Sequence, residues 1–181
     1  MEEDMTDGLP PDKEALLARL RQSRAALEVL IAPLSAGRLS APGPGGDWSV
    51  KDHLYHLATW QRVQLARMQG HPEWAVVDLD EASYRAALHS APDFRDINAI
   101  IWRRGKDLAA NDVLAHFRET FAQLLAELDR WSYADLQRQA YPNRPDGPSV
   151  LKQLSGDSYE HDEEHLGMIR RVIGDGVASN E

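Results

Sequence analysis

Apolar residues recur every three or four positions along most of the chain, and nowhere do apolar and polar residues alternate as a half-buried strand requires. An all-α protein is predicted. The first segment, Leu16, Leu17, Leu20, Ala25, Leu27, Leu30 and Ile31, keeps a helical rhythm behind Asp12, a capping residue type, and is expected to end near Leu34. Proline and glycine then crowd into 41–47, after which Ser49 and Asp52 read as a capping box that opens a helix at about Val50. Its inward face takes Val50, Leu54, Leu57, Gln61, Leu65 and Met68, and Gly70 with Pro72 stops it.

The rhythm blurs over 71–95, which predicts an irregular crossover with short helical turns near 81–88. A short helix over 96–108 should carry Ile97, Ile100, Ile101 and Trp102 inward, with Gly105 as its weak point. Asn111 is the expected cap of a stronger helix through Val113, Leu114, Phe117, Phe121, Leu124, Leu125 and Leu128. Ser132 can cap a turn through Leu136, and 141–148 is turn chemistry throughout. The last long helix should run from Ser149 or Val150 to Gly174, weakened at Gly156, with Arg170 and Arg171 at the negative end of its dipole. The sum is a four-helix bundle with a long crossover and short extra helices, one domain over 11–174 between flexible ends at 1–10 and 175–181.

Composition narrows the function classes. The 181 residues are 43% hydrophobic and 27% charged, the balance of a folded domain. A net charge of -9 should repel phosphate backbones, so nucleic acid is not expected as a partner. With no cysteine, disulfides, thiolate metal sites and a thiol nucleophile are excluded together. The start is acidic and polar, unlike a secretory signal, and no segment approaches the ~20 apolar residues of a membrane span; a cytoplasmic location without membrane partners is expected.

On the final helix, about 100° per residue places Val150, Leu154, His161, His165, Met168 and Val172 in one stripe. Histidines four apart lie one turn apart, so their imidazoles can point at a common atom, as a chelating pair must. Buried among Leu and Met, each needs a partner: a shared cation supplies one, and separate hydrogen bonds to carboxylates or carbonyls are the alternative. The neighbouring acids Glu160, Asp162 and Glu163 read as a solvated face, whereas Asp157 and Glu164 lie nearest the stripe and are candidates to orient an imidazole or act as a base. The helix after Ser49 offers His53 and His56, three apart, and a zinc-like three-histidine site needs one donor from such a second helix. Either can serve. His71, His89 and His116 read as surface residues, and Trp48, Trp60 and Trp102 either wall a pocket or fill the core. Phosphate loops, dinucleotide fingerprints and strand-framed serine nucleophiles do not occur.

The run Asp47-Trp48-Ser49-Val50-Lys51-Asp52-His53-Leu54-Tyr55-His56-Leu57 resembles the second-helix signature of the DinB/YfiT-like bundles, and the run from Gly156 to Leu166 resembles their closing helix. That resemblance implies a metal-ligand histidine eight residues after the tryptophan, which is His56, completed by His161 and His165. The wording from Asp157 to His161 and the segment from Asn98 to Trp102 look most like the ClbS/DfsB branch. The superfamily includes metal-dependent thiol transferases and isomerases, and the branch includes a self-protection protein that opens an electrophilic cyclopropane. The resemblance thus implies a divalent transition ion, zinc or nickel, at His56, His161 and His165, and a hydrolase or thiol transferase acting on a small electrophile in detoxification. The alternatives are a bundle that sequesters a small molecule without turnover, and a structural module, for instance a homodimer.

Overall fold

Backbone donors at the start of the first helix, α1 (Lys13–Ile31), are satisfied by Asp12, whose carboxylate accepts from the Ala15 N–H at 2.8 Å. The computed structural model describes residues 8–90, 94–141 and 146–174; of the expected flexible ends at 1–10 and 175–181, residues 1–7 and 175–181 lie outside the described residues, as do Pro92 and half of the 141–148 turn. After α1 comes a short α2 (Ala36–Ser40), capped by Ser35. The central helix α3 (Val50–Met68) opens on the capping box: the Asp52 N–H donates to Ser49 Oγ at 3.2 Å and the Ser49 N–H to Asp52 Oδ2 at 3.0 Å. Past its end, Gly70 turns the chain with a φ of 69°, a left-handed value that glycine adopts without steric cost.

The crossover holds a 3₁₀ turn (Glu73–Val77) and α4 (Glu81–His89), followed by α5 (Arg95–Gly105), α6 (Ala110–Leu128) and the brief α7 (Tyr133–Leu136). The closing segment is α8 (Val150–Ser155), a single π turn (Gly156–Glu160) and α9 (His161–Gly174). Among the described residues there is no β-strand, only an isolated bridge between Gln139 and Ser149.

The helix α3 runs through the middle of the bundle, packed against α5, α6 and α9, while α1 closes against α9. One apolar cluster joins Leu27, Leu54, Leu57, Phe117 and Ile169; a second joins Leu16, Leu20, Leu124, Leu128, Leu154 and Tyr159. A third seats Tyr84, Ile97 and Ile101 on Trp60 and Val63, which fastens α4 and α5 to α3. Each such side chain, fully buried, contributes roughly 1.5–3 kcal/mol. Because α3 is surrounded, its polar residues are buried too, and Lys51 shows how one is satisfied: its Nζ donates to the carbonyls of Lys106 and Leu108 at 2.5 and 3.0 Å, closing the end of α5.

At that end a Cβ on Gly105 would lie 2.2 Å from Cδ1 of the Tyr55 ring. Gly105→Ala is therefore expected to destabilise the protein by about 1–3 kcal/mol despite alanine's better helix propensity, a loss measurable by urea unfolding. A gain in stability would show that the α3–α5 contact is loose.

Four expectations need correction. The cap of α6 is Ala109, which has no side chain to cap with, and Asn111 lies inside the helix. Trp102 is 37% exposed and faces outward, since Ile97 and Ile101 already fill the contact with α3. The last helix spans Val150 to Gly174 as expected but is not regular: at Gly156 a π turn inserts one residue into the ladder and rotates α9 by roughly 100° relative to the α8 register. Its buried face runs through Asp162, His165 and Ile169, so Asp162 is interior where a solvated position was expected, and His161 and Met168 border that face.

Candidate metal centre

The bundle brings His56 of α3 to His161 and His165 of α9, with one ring nitrogen from each within 4.8 Å of the others. His56 Nε2 faces His161 Nε2 at 3.0 Å, close to the roughly 3.3 Å edge of a tetrahedron of nitrogens 2.0–2.1 Å from zinc. The ring centroids of His161 and His165 are 4.6 Å apart, and those of His56 and His165 4.8 Å. A fourth imidazole joins them: His53 Nδ1 lies 2.9 Å from His165 Nδ1. Trp48 stands edge-on to both α3 histidines, at 5.4 Å from His53 and 5.0 Å from His56.

Local sequence explains the convergence. The Ser49–Asp52 box fixes where α3 begins, and hence which of its faces carries His56. On the other side Asp162, next to His161, is locked to α1 and α3: its carboxylate lies 3.4 Å from Arg24 Nε and accepts from Gln61 Nε2 at 3.4 Å. That anchor sets the rotation of α9.

Burial holds the cluster neutral. Desolvation pushes the His53 and His161 imidazoles down to about 4, and at His56 and His165 desolvation followed by the neighbouring rings holds the pKa well below the ordinary histidine value. Neutral rings with lone pairs are what a cation requires.

The histidines open into a cavity of about 1000 Å³, walled by Trp48, Trp60, Phe94 and Met168. Trp60 is fixed by a hydrogen bond from Nε1 to Asn98 Oδ1 at 3.2 Å. The cavity also reaches Asp157, whose Oδ2 accepts from Arg67 Nη1 at 2.7 Å; burial pushes this carboxyl up to about 6 against the pull of Arg67. Glu164 is exposed and lines the same cavity. Of the remaining histidines, His71 and His89 are exposed and His116 is half-buried beside the Tyr55 ring, none of them near the cluster. Sequence reasoning named His53 only as a substitute for His56; the structure brings both rings against the α9 histidines.

An α-helical bundle with imidazoles converging from its central and closing helices defines the class. The DinB superfamily model matches residues 19–169, and the chain belongs to that superfamily. A solved structure of an uncharacterised protein from Escherichia coli UTI89 is similar, with a TM-score of 0.73 at 14% identity over 95% of this chain and 98% of that one. The colibactin self-resistance protein ClbS, solved in complex with double-stranded DNA, is also similar, with a TM-score of 0.68 at 16% identity over 90% of this chain and 95% of that one. No curated protein sequence matches.

The ClbS complex corrects the expectation that nucleic acid is no partner. Net charge was the wrong quantity, because a local cluster of cations can meet phosphates on an acidic protein. Here Arg103, Arg104 and Lys106 are exposed together at the end of α5. As for membranes, no helix among the described residues is long and apolar enough to cross one.

Proposed function

We propose that this protein is a metal-dependent enzyme that disarms a small electrophile, with His56, His161 and His165 as ligands of a divalent transition ion, zinc or nickel. The observation that carries the reading is the meeting of three neutral imidazoles in the wall of a cavity that Trp48, Trp60 and Phe94 also line. The self-resistance role of ClbS supports a detoxification role for a protein of the same fold. Three nitrogen donors suit zinc or nickel and leave positions open for substrate or water. A bound divalent ion supplies Lewis acidity and eases deprotonation of water or a borrowed thiol, which the chain itself lacks.

The protein's own groups do the rest. Trp48, Trp60 and Phe94 hold the apolar body of the substrate and exclude water around it. Asp157, fixed through Oδ2 by Arg67, keeps Oδ1 to take or give a proton near neutrality, where its raised pKa is useful. In the reaction a water or thiol bonds to the electrophilic carbon, the strained carbon–oxygen or carbon–carbon bond breaks, and the released pair takes the proton.

The test is turnover of a panel of epoxides and activated cyclopropanes, with and without glutathione, read by mass spectrometry. Chelator-stripped protein reloaded with about one equivalent of zinc or nickel should consume at least one of them, and the stripped protein should be at least ~100-fold slower. Equal turnover with and without metal contradicts the reading, and stable binding without turnover assigns sequestration instead.

The DNA held by ClbS and the exposed cations of α5 favour a second reading, contact with duplex DNA. It expects a labelled duplex to bind at low salt and to be released as salt rises, with Arg103→Ala plus Arg104→Ala weakening it. Binding unaffected by those changes removes α5 from the account.

A further inference from the structure

We infer that His53 is a positioning residue for the metal centre, a hydrogen-bond acceptor that fixes both the ring orientation and the tautomer of His165. The inference rests on the three-histidine reading above.

Two neutral imidazole nitrogens 2.9 Å apart share one proton, so one ring donates and the other accepts. His165 has no other hydrogen bond among the described residues. With Nδ1 turned to His53, the nitrogen left for a cation is Nε2, and a neutral ring that ligates through Nε2 carries its proton on Nδ1. His165 Nδ1–H is then the donor, His53 Nδ1 the acceptor, and His53 keeps its own proton on Nε2. A ligating histidine generally donates its second N–H to such an acceptor, most often a carboxylate or carbonyl; here another imidazole takes that place.

Placement supports the assignment. His53 precedes His56 by three residues on the same face of α3, is only 6% exposed, and meets His165 edge to face with ring centroids 4.9 Å apart. Trp48 packs against the edge of the His53 ring and limits its rotation. The group of nitrogens within 4.8 Å of one another comprises His56, His161 and His165 and leaves His53 outside. One helix thereby supplies a ligand, His56, and the support of the ligand opposite.

The test compares His53→Ala, His53→Asn and His53→Gln with the unaltered protein by zinc competition against a chromogenic chelator. The Asn oxygen falls close to the place of Nδ1, and the Gln amide lies one methylene farther out. His53→Ala and His53→Gln are expected to weaken zinc binding about 10–100-fold, and His53→Asn to restore it to within about threefold. X-ray absorption of the zinc-loaded proteins should count the same number of imidazoles with and without His53.

If all three variants bind zinc as the unaltered protein does, His53 positions nothing. If the imidazole count falls by one in His53→Ala, His53 is itself a ligand, and the inference is overturned in that way. If the unaltered protein binds no zinc, the metal reading fails first and takes this inference with it. Should His53→Ala not fold, the contrast between Asn and Gln decides the question alone.

Discussion

Replacing His161 by Ala is expected to lower the affinity for zinc or nickel by more than ~100-fold, beyond the range seen when only an outer hydrogen-bond partner of a ligand is lost. Two donors would remain, His56 and His165, and two imidazoles rarely hold a divalent ion against water and buffer. His161 is the informative position because it is half-buried at the edge of the cavity, so its removal opens little space in the core. Unfolding of the metal-free variant should therefore resemble that of the metal-free unaltered protein, while the metal-dependent gain in stability disappears. Calorimetric titration with zinc, with urea unfolding beside it, reads both. An unchanged affinity removes His161 from the ligand set even though the bundle stands.

Arg24→Ala should cost about 3–5 kcal/mol of stability, the largest effect expected away from the cluster. The guanidinium is 5% exposed and lies over the ring of Phe117 at 3.6 Å. It donates to the Phe117 carbonyl at 3.2 Å and to Gln61 Oε1 at 2.7 Å, with Asp162 beside it at 3.4 Å. Asp162 is 1% exposed and, without Arg24, either holds a charge in the interior with no cation beside it or takes up a proton at a cost in stability. Burial already pushes that carboxyl up to about 6 with Arg24 in place. Replacing both partners by apolar residues, Arg24→Met with Asp162→Leu, should recover most of the loss, because the penalty comes from the buried carboxyl left without its partner. Urea unfolding of the single and double variants decides it, and a loss below about 1 kcal/mol for Arg24→Ala would show that water reaches Asp162.

The same pair shows what could be read in advance and what could not. Helix starts were legible because the signal is local: Asp12, Ser49, Ser132 and Ser149 sit within three residues of the N–H groups they accept from. His56, His161 and His165 were legible through the resemblance, which supplied the inter-helix pairing that spacing alone leaves open between His53 and His56. Asp162 was not, because an acid beside four others reads as surface unless its partner is known, and Arg24 lies on a helix remote in the chain. The π turn left only Gly156 as a trace, a residue equally at home in an ordinary weak turn. Trp102 was misread although the period marks the face: at about 100° per residue Ile97, Ile100 and Ile101 share an arc of about 100°, and Trp102 falls about 100° beyond its edge. Charge failed for a different reason, since a sum over the chain carries no information about where the cations gather.

The central claim is that the imidazoles meeting between α3 and α9 hold a metal ion. It is tested most directly by elemental analysis of the protein purified without a metal-affinity column or added chelator. About one equivalent of a transition metal, zinc or nickel, per chain is the expected result. Less than about half an equivalent of any transition metal, persisting after incubation with excess zinc and desalting, would contradict it.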